Sequence, residues 1–280
     1  MIWTACWEAD EMLDQAQRRN NFFVRTWVAF VLAVIYLPIL CSALASLSKS
    51  RYFMFPVRKY STEWWSKTWS SVEVHTLVGN SISIAVLVTL ISVTLAFFGA
   101  LAFARYDWKG RTLYQKLLLL PIFFPQAVLG LALLLWMNTL GLMPSWKTAV
   151  LAHLVWIVPV VTLVIAIKVY SYDSTLEDAA ADLGASRWQI FREVTLPLLW
   201  PGIWSGGLFA FLLSWGNFPL SLYTAGADST VPKWLYSKMV AGYTPMVPAL
   251  GTMNTLGAIA VLALVGTLVM SMRRQRVTSI

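Results

Sequence analysis

The segment 176–187 carries the residue pattern with the clearest chemical meaning in this chain. Three acidic side chains stand there among alanines and leucines, and long apolar runs flank the segment on both sides. Leu176, Ala179, Ala180 and Leu183 follow the spacing of one helical face. Because alanines keep that face flat, the backbone of another protein can come close to it. The pattern therefore predicts noncovalent docking of a short helix in a groove of a partner protein.

Signals for helix ends bracket this short helix. Ser174 and Glu177 have the spacing of a capping box, and Glu177 and Asp178 in the first turn suit the positive end of the helix dipole. Gly184 is expected to stop the helix as a C-terminal cap.

A second short helix is predicted directly after the first. Ser186 and Gln189 form another capping box, which opens a helix that runs to about residue 194. The pair Leu196-Pro197 is then expected to break the chain before the next apolar run. The loop 171–200 is thus predicted to hold two short helices at an angle.

Two other interpretations of this loop compete with docking. A plain linker has little reason to carry two capping boxes and a defined apolar stripe. A DNA-reading helix-turn-helix would need an excess of positive charge. Acids instead outnumber bases in this loop, with Asp173, Glu177, Asp178, Asp182 and Glu193 against Arg187 and Arg192.

Motifs for catalysis are missing from the sequence. It has no Gly-x-x-x-x-Gly-Lys-Ser/Thr phosphate loop, no His-Glu-x-x-His, no Cys-x-x-Cys and no Gly-x-Ser-x-Gly. We expect a non-catalytic chain that binds no cofactor and no metal. His153 is the lone imidazole in the apolar runs, and a packed, hydrogen-bonded role is favoured for it over a proton relay.

The residue content indicates a protein of the lipid bilayer. Hydrophobic residues make up 58% of the chain and charged residues only 12%, whereas soluble domains carry roughly a quarter charged residues. Six apolar runs are each about 20 residues or longer, enough for a helix to cross the hydrocarbon core. They are 27–47, 77–104, 113–137, 148–170, 202–224 and 252–272. The predicted fold class is an all-α membrane protein with six transmembrane helices.

Three further features of the six spans are their prolines, a pair of glycines and the absence of acidic residues. Prolines inside them are expected to kink the helices without destroying them, because neighbouring helices satisfy the freed carbonyl groups. Gly202 and Gly206 form a small-residue face that suits close packing of two helices. No Asp or Glu falls within the six runs.

Charge distribution predicts how the chain is organised across the membrane. Six crossings put both termini on one side, and the count of basic residues favours the cytoplasm. This topology explains most of the net charge of +8, so no nucleic-acid partner is expected. We divide the chain into an N-terminal extension (1–26), a transmembrane domain (27–272) with the loop 171–200, and a basic cytoplasmic tail (273–280).

The start of the chain is not expected to be a cleavable signal peptide, because four acidic residues precede the first apolar run. A loosely ordered cytoplasmic extension is favoured there over an interfacial helix. Cys6 and Cys41 should lie at different depths, so no disulfide is expected between them.

The loop 171–200 resembles the EAA loop of binding-protein-dependent permeases of ATP-binding-cassette (ABC) importers. That pattern reads Glu-Ala-Ala, three residues, Gly, nine residues, Ile, one residue, Leu-Pro. Here Asp178 stands in the Glu position and Val194 in the Ile position, while the spacing to Gly184 and to Leu196-Pro197 is kept. The resemblance extends from about residue 77 to the C-terminus and leaves residues 1–21 outside.

The resemblance implies a type I importer (MetI-like) transmembrane domain in a bacterial inner membrane, with the loop acting as a coupling helix. Its partners would be a second permease subunit (a heterodimer being favoured), two cytosolic ATPase subunits that bind ATP and Mg, and an extracytoplasmic solute-binding protein. By the same resemblance, the ATPase-coupling residues are Glu177, Asp178, Ala179, Ala180, Leu183, Gly184, Arg187, Leu196 and Pro197.

The segments 214–219 and 229–250 look like the spermidine/putrescine branch of this family. Members of that branch tend to carry acidic residues where this chain has Gly216 and Asn217. We hypothesise a small polar organic solute, with a polyamine first and a phosphonate, iron complex, opine or polyol as alternatives.

The residues expected near the solute path are Ser214, Trp215, Asn217 and Tyr223. The competing interpretation is structural: an inter-helix hydrogen bond by Asn217 and packing by the aromatic rings.

Two function classes outside this family remain as alternatives. An ion-coupled secondary carrier is disfavoured because such carriers use intramembrane acids, which the six runs lack. A membrane-embedded enzyme or signalling subunit is disfavoured by the missing catalytic motifs.

Overall fold

A computed structural model describes the backbone of residues 2–52 and 56–278 and the side chains of residues 21–52 and 56–267. The side chains of Cys6 and of the basic tail therefore lie outside the described ranges. Within the described ranges the chain is helical, and the one β-type contact there is an isolated bridge between Ser48 and Tyr60.

Twelve α-helices follow one another in the described residues, and we number them α1 to α12. Their bounds are α1 Ile2–Ser46, α2 Glu63–Trp69, α3 Val72–Ala104, α4 Arg111–Leu119, α5 Gln126–Thr139, α6 Trp146–Tyr170, α7 Thr175–Asp182, α8 Arg187–Gln189, α9 Leu196–Trp215, α10 Pro219–Thr224, α11 Val231–Ala241 and α12 Met246–Thr278. A 3₁₀ turn, Leu120–Phe123, follows α4, and a π-helical turn, Ile190–Thr195, joins α8 to α9.

Five stretches of helix in the described part of the chain are long and apolar enough to cross a membrane, and a sixth crossing results if a bent pair counts as one span. This agrees with the predicted all-α membrane fold of six spans. The fourth predicted span, 148–170, matches α6 almost residue for residue.

The third predicted span, 113–137, is wrong as one continuous helix. The helical stretches Arg111–Phe123 and Gln126–Thr139 meet at an angle of 106°. Phe124 is extended, with φ −82° and ψ 135°, because a residue that precedes proline is pushed out of the helical region. Pro38 and Pro159 remain inside α1 and α6, so the expected tolerance of proline holds at those two sites.

The fifth predicted span, 202–224, also needs correction. The helical stretch begins at Arg187 and ends at Trp215, and α10 forms only after a break at residues 216–218. Pro219 fits the first turn of α10, where the missing N–H of proline costs nothing.

The predicted loose order of the N-terminal extension is wrong, because α1 is helical from Ile2. Residues 2–21 contain neither glycine nor proline, so no residue in that stretch interrupts a helix that continues into the first span.

The chain divides into two compact units, one of residues 1–68 with 243–253 and the other of residues 69–242 with 254–280. In the first unit, the Trp65 indole donates a hydrogen bond to Ser46 Oγ at 3.1 Å, which ties α2 to the end of α1. Cys41 is a free thiol.

In the second unit, α3, α6 and α9 pack against one another around a buried apolar core. The predicted small-residue face is confirmed. A Cβ atom at Gly202 would lie 2.8 Å from Lys168 Cγ, and one at Gly206 would lie 3.0 Å from Ile165 Cγ1. The missing side chains thus let α9 approach α6 closely. The helix α10 packs on α5 and α6.

Candidate functional site: the coupling loop and the broken fifth span

The first short helix of the loop, α7, begins differently from the sequence prediction. Ser174 already has helical backbone angles (φ −71°, ψ −17°), and its side chain caps nothing. Asp173 caps instead, because its Oδ1 accepts a hydrogen bond from the backbone N–H of Thr175 at 3.0 Å. This hydrogen bond lowers the pKa of Asp173. The predicted capping box of Ser174 and Glu177 is therefore wrong, and the Glu177 side chain is free for other bonds.

The end of α7 is as predicted. Gly184 adopts φ +84°, a left-handed conformation that side chains disfavour. The N–H of Gly184 donates to Ala181 O at 2.9 Å, and the N–H of Ala185 donates to Ala180 O at 3.1 Å. This pair of bonds is a Schellman motif, which satisfies the last carbonyl groups of the helix.

Unlike the first, the second predicted capping box, formed by Ser186 and Gln189, is confirmed. The N–H of Ser186 donates to Gln189 Oε1 at 2.8 Å, and the N–H of Gln189 donates to Ser186 Oγ at 3.4 Å.

The expected break at Leu196-Pro197 is wrong, since the π-helical turn runs directly into α9. Proline fits there because it lies in the first turn of the following helix.

The loop presents an exposed apolar surface. Leu183 has 89% of its surface exposed, Trp188 67% and Leu176 48%. The Trp188 ring stacks on Phe191, with centroids 5.6 Å apart. Of the sequence-predicted coupling residues, Asp178, Ala179, Leu183, Gly184 and Arg187 are exposed, whereas Glu177, Ala180, Leu196 and Pro197 are half-buried.

Glu177 points toward the bundle. Its carboxylate pairs with the Arg105 guanidinium, and the two side chains are only 17% and 19% exposed. Its Oε1 also accepts a hydrogen bond from Thr195 Oγ1 at 2.5 Å. The Arg105 guanidinium lies over the Tyr172 ring, 5.1 Å from the centroid. Burial, and after it the neighbouring Glu177, raises the pKa of Tyr172 to about 12.

Sequence reasoning missed the partners of Glu177. Arg105 directly follows the second predicted span, 77–104, where a basic residue is expected from membrane topology alone. The pairing joins residues 72 positions apart, and no local pattern predicts such a contact.

The four residues predicted near the solute path lie around the break in the fifth span. Ser214 and Asn217 are buried, and Trp215 and Tyr223 are half-buried. Asn217 Oδ1 accepts a hydrogen bond from the backbone N–H of Leu220 at 3.1 Å, so it caps the start of α10. The Trp215 ring stacks on Phe211 at 5.8 Å.

His153 links both sides of this break. Its Nδ1 lies 2.9 Å from Ser214 Oγ, and its Nε2 lies 2.9 Å from Ser221 Oγ. The side chain is 1% exposed. This is the packed, hydrogen-bonded histidine that the sequence favoured.

The start of α6 holds the end of α10. Thr148 Oγ1 donates to Thr224 O at 2.8 Å, and the N–H of Ser145 donates to the same carbonyl at 3.1 Å. The N–H of Trp146 donates to Asp228 Oδ2 at 3.1 Å. Sequence reasoning missed Thr148, Trp146 and Asp228 because their bonds join distant parts of the chain.

Comparison with known proteins agrees with this architecture. Residues 92–277 match the family described as "Binding-protein-dependent transport system inner membrane component". The chain is 28% identical over 247 residues to the spermidine/putrescine transport system permease protein PotC of Haemophilus influenzae, a match that covers 88% of this chain and 96% of PotC. It is 35% identical over 177 residues to the molybdenum transport system permease protein ModB of the same organism, covering 57% of this chain and 77% of ModB.

A solved structure has the same fold. A chain of a bacterial alginate ABC transporter, in complex with an alginate pentasaccharide-bound periplasmic protein, superposes with a TM-score of 0.66 at 14% identity, covering 89% of this chain and 93% of that one. The family match assigns the chain to ATP-driven import, not to the ion-coupled carriers that the sequence left as an alternative. This chain belongs to the inner-membrane components of binding-protein-dependent transport systems and is a permease subunit of an ABC importer.

Proposed function

We propose that the chain is a non-catalytic membrane subunit of its importer and docks on a separate ATPase through α7 and α8. The exposed apolar surface of Leu176, Leu183 and Trp188 is the observation that carries this proposal. Three large apolar side chains left exposed in one short polar loop indicate a surface that a partner covers. The Schellman motif at Gly184 supports the same role, because it holds the chain in a fixed turn beside Leu183.

The remaining subunits follow from the division of labour in such importers. ATP and Mg belong to two cytosolic ATPase subunits, since this sequence has no phosphate-binding loop. A second, different permease subunit completes the membrane part. An extracytoplasmic protein delivers the solute, as in the alginate transporter of the same fold. The loop 171–200 and both termini face the cytoplasm, in agreement with the basic residues on that side.

The solute is a small polar organic molecule, with a polyamine as the first candidate. The relationship to PotC supports this choice. The solute path runs past the break in the fifth span, beside Ser214, Trp215, Asn217 and Tyr223. Because the six apolar runs contain no carboxylate, the solute-binding protein provides the selectivity and the membrane path binds the solute weakly.

An oxyanion is the second candidate solute. The relationship to ModB favours it, and so does a path without carboxylates, because negative side chains would repel an anion. Uptake of radiolabelled spermidine and of molybdate by cells that express the complete importer distinguishes the two. Spermidine uptake that requires this chain supports the polyamine; molybdate uptake in its place overturns it.

Docking is tested by affinity capture of the tagged chain from membranes that hold the complete importer. Leu183→Asp puts a charge on the exposed apolar surface without disturbing packing, and we expect it to release the ATPase. Met143→Asp is the matched control, because Met143 is an 82% exposed apolar side chain in the loop before α6, at the opposite end of that helix. An ATPase that is retained by Leu183→Asp would contradict docking through this surface.

A further inference from the structure

Glu177 and Asp178 are neighbouring carboxylates in α7 with opposite environments. Asp178 is exposed, whereas the Glu177 side chain is 17% exposed and pairs with Arg105. A docked protein can reach Asp178. It cannot reach the Glu177 oxygens without first separating them from Arg105 and Thr195.

The Glu177 side chain bonds to residues that adjoin two different helices, and a residue next to a third helix packs on one of these partners. Arg105 is the residue that directly follows α3. Thr195 is the last residue of the π-helical turn that leads into α9. Tyr172 lies two residues after the end of α6, and the Arg105 guanidinium lies over its ring, 5.1 Å from the centroid. A single carboxylate in α7 therefore bonds to residues that adjoin α3 and α9, and it reaches the end of α6 only through Arg105.

Space remains between α7 and the end of α3. A cavity of about 450 Å³ is lined there by Leu101 and Arg105 from the end of α3 and by Asp178 and Ala181 from α7. The Arg105–Glu177 pair bridges this space. A half-buried ion pair with a further hydrogen bond resists separation, because each charge would otherwise be left without a partner in a poorly solvated place.

We propose that Glu177 is a positioning residue that transmits the movement of the coupling helix to the bundle and does not itself bind the ATPase. When the ATPase displaces α7, the carboxylate transmits that displacement to the ends of α3 and α9, to whose neighbouring residues it is bonded. This inference rests on the proposed docking of an ATPase on α7. It assigns the two neighbouring acids different tasks: Asp178 faces the partner, and Glu177 faces the bundle.

The test compares ATPase binding with conformational response in the assembled importer. Ser83 is exposed on α3 and lines a separate cavity with Asn80 and Trp146. With Cys6 and Cys41 replaced by serine, Ser83→Cys reports movement of α3 through its rate of labelling by a membrane-impermeant maleimide. The rate is measured without nucleotide and after trapping with ATP and vanadate, so no solute has to be known.

We expect Glu177→Gln and Arg105→Gln to retain the ATPase in affinity capture while the ATP-dependent change in labelling falls roughly tenfold. The exchanged pair Arg105→Glu with Glu177→Arg should recover much of the response, because the ion pair is restored in reverse. Glu193→Gln and Arg192→Gln are matched controls, since both residues are exposed in the same loop; they should respond as the unaltered importer does.

Two results would overturn the proposal. One is loss of the ATPase in Glu177→Gln with full retention in Arg105→Gln, which would make Glu177 a direct ATPase contact. The other is an unchanged labelling response in both single variants. If the single variants fail to fold, the variant with the exchanged pair is tested instead, by affinity capture of the ATPase and by the ATP-dependent change in labelling. Failure of the underlying docking proposal has a different signature, namely an ATPase that Leu183→Asp does not release.

Discussion

The two ends of the bundle formed by α3, α6 and α9 are held in different ways. At the coupling end (residues 101–110 and 171–200), an ion pair between side chains joins α7 to the bundle beside a cavity. At the far end (residues 144–153 and 214–234), most bonds involve backbone groups, and Thr224 O alone accepts two of them. A backbone bond in a packed setting fixes position closely, whereas a side-chain tether allows a helix to move as a unit. The comparison shows that side chains connect α7 to the bundle, whereas backbone groups make most of the bonds that hold α10.

The two ends of the bundle also differ in the reason why each requires a glycine. Gly184 at the coupling end and Gly226 at the far end both have positive φ, of +84° and +55°. A Cβ atom at Gly184 would have nothing within 4 Å, whereas one at Gly226 would overlap the carbonyl group of Pro144. The coupling end thus needs glycine only for its backbone conformation, while the far end needs it for space as well.

The largest effect is expected for Gly226→Ala. The substitution combines a disfavoured backbone conformation with an overlap that the backbone at Pro144 must move to relieve, so we expect a loss of about 3 kcal/mol or more in unfolding free energy. The measurement is the yield of folded protein and its thermal unfolding midpoint in detergent. Gly141→Ala is the control, because Gly141 has φ +72° with nothing within 4 Å of a Cβ atom. Equal losses in both variants would show that the far end is no more tightly packed than an open turn.

The next effect is expected for His153→Ala, which tests whether buried hydrogen bonds hold the far end. The change leaves Ser214 and Ser221 without their partner and opens a cavity, which together should cost about 2–3 kcal/mol. Ser205→Ala is a suitable control, because Ser205 is exposed on α9 and bonds only to Pro201 O of its own helix. Unfolding in detergent measures both. A cost as small as that of Ser205→Ala would remove His153 from the list of groups that fix the break.

A smaller effect is expected for Gly184→Ala at the coupling end. With open space around it, the cost is the backbone conformation alone, about 1 kcal/mol. Fraying should be local and appear as faster hydrogen exchange of the amides of residues 183–189, with the global unfolding midpoint nearly unchanged. Gly216→Ala is the comparison, because Gly216 has φ −89° and an added Cβ would make only ordinary contact there. Global destabilisation by Gly184→Ala would mean that the coupling end is as firm as the far end.

The sequence predicted those parts of the fold that depend on neighbouring residues. Gly184 as a helix stop, the Ser186 capping box and the Gly202–Gly206 face follow from short spacings, and all three are present. The bends at 124–125 and 216–218 were missed because an apolar run gives no sign of where its backbone turns. Proline there is compatible with either a kink or a break, and the packing of α10 on α5 and α6 decides between them.

The residues of the candidate site likewise fall into two groups: those that the local sequence predicts and those whose role depends on tertiary contacts. Helical spacing predicted an apolar face that includes Leu176 and Leu183, and both side chains are exposed, but it did not predict the exposed Trp188. The inward role of Glu177 was not predictable, since it depends on Arg105 and Thr195, which reach it only after the bundle has formed. Asn217 was expected near the path for its amide group, and the backbone N–H of Leu220 occupies that amide oxygen. Local pattern thus identifies which residues are unusual, while their partners depend on tertiary structure.

The smallest effects are expected for substitutions of Ser214 and Ser221, which lie on the two sides of the break between α9 and α10. Neutral histidine donates from one ring nitrogen and accepts at the other, and a serine hydroxyl can take either role. Ser214→Ala and Ser221→Ala should therefore cost similar amounts, about 0.6 kcal/mol each, as for other hydrogen bonds between membrane helices. In a His153→Ala background each serine has already lost its partner, so the same substitutions should be nearly neutral. Unfolding of the six proteins in these two double-mutant cycles measures the coupling of His153 to each serine. Equal costs in both backgrounds would mean that the 2.9 Å contacts of His153 contribute nothing to holding α9 and α10 together across residues 216–218.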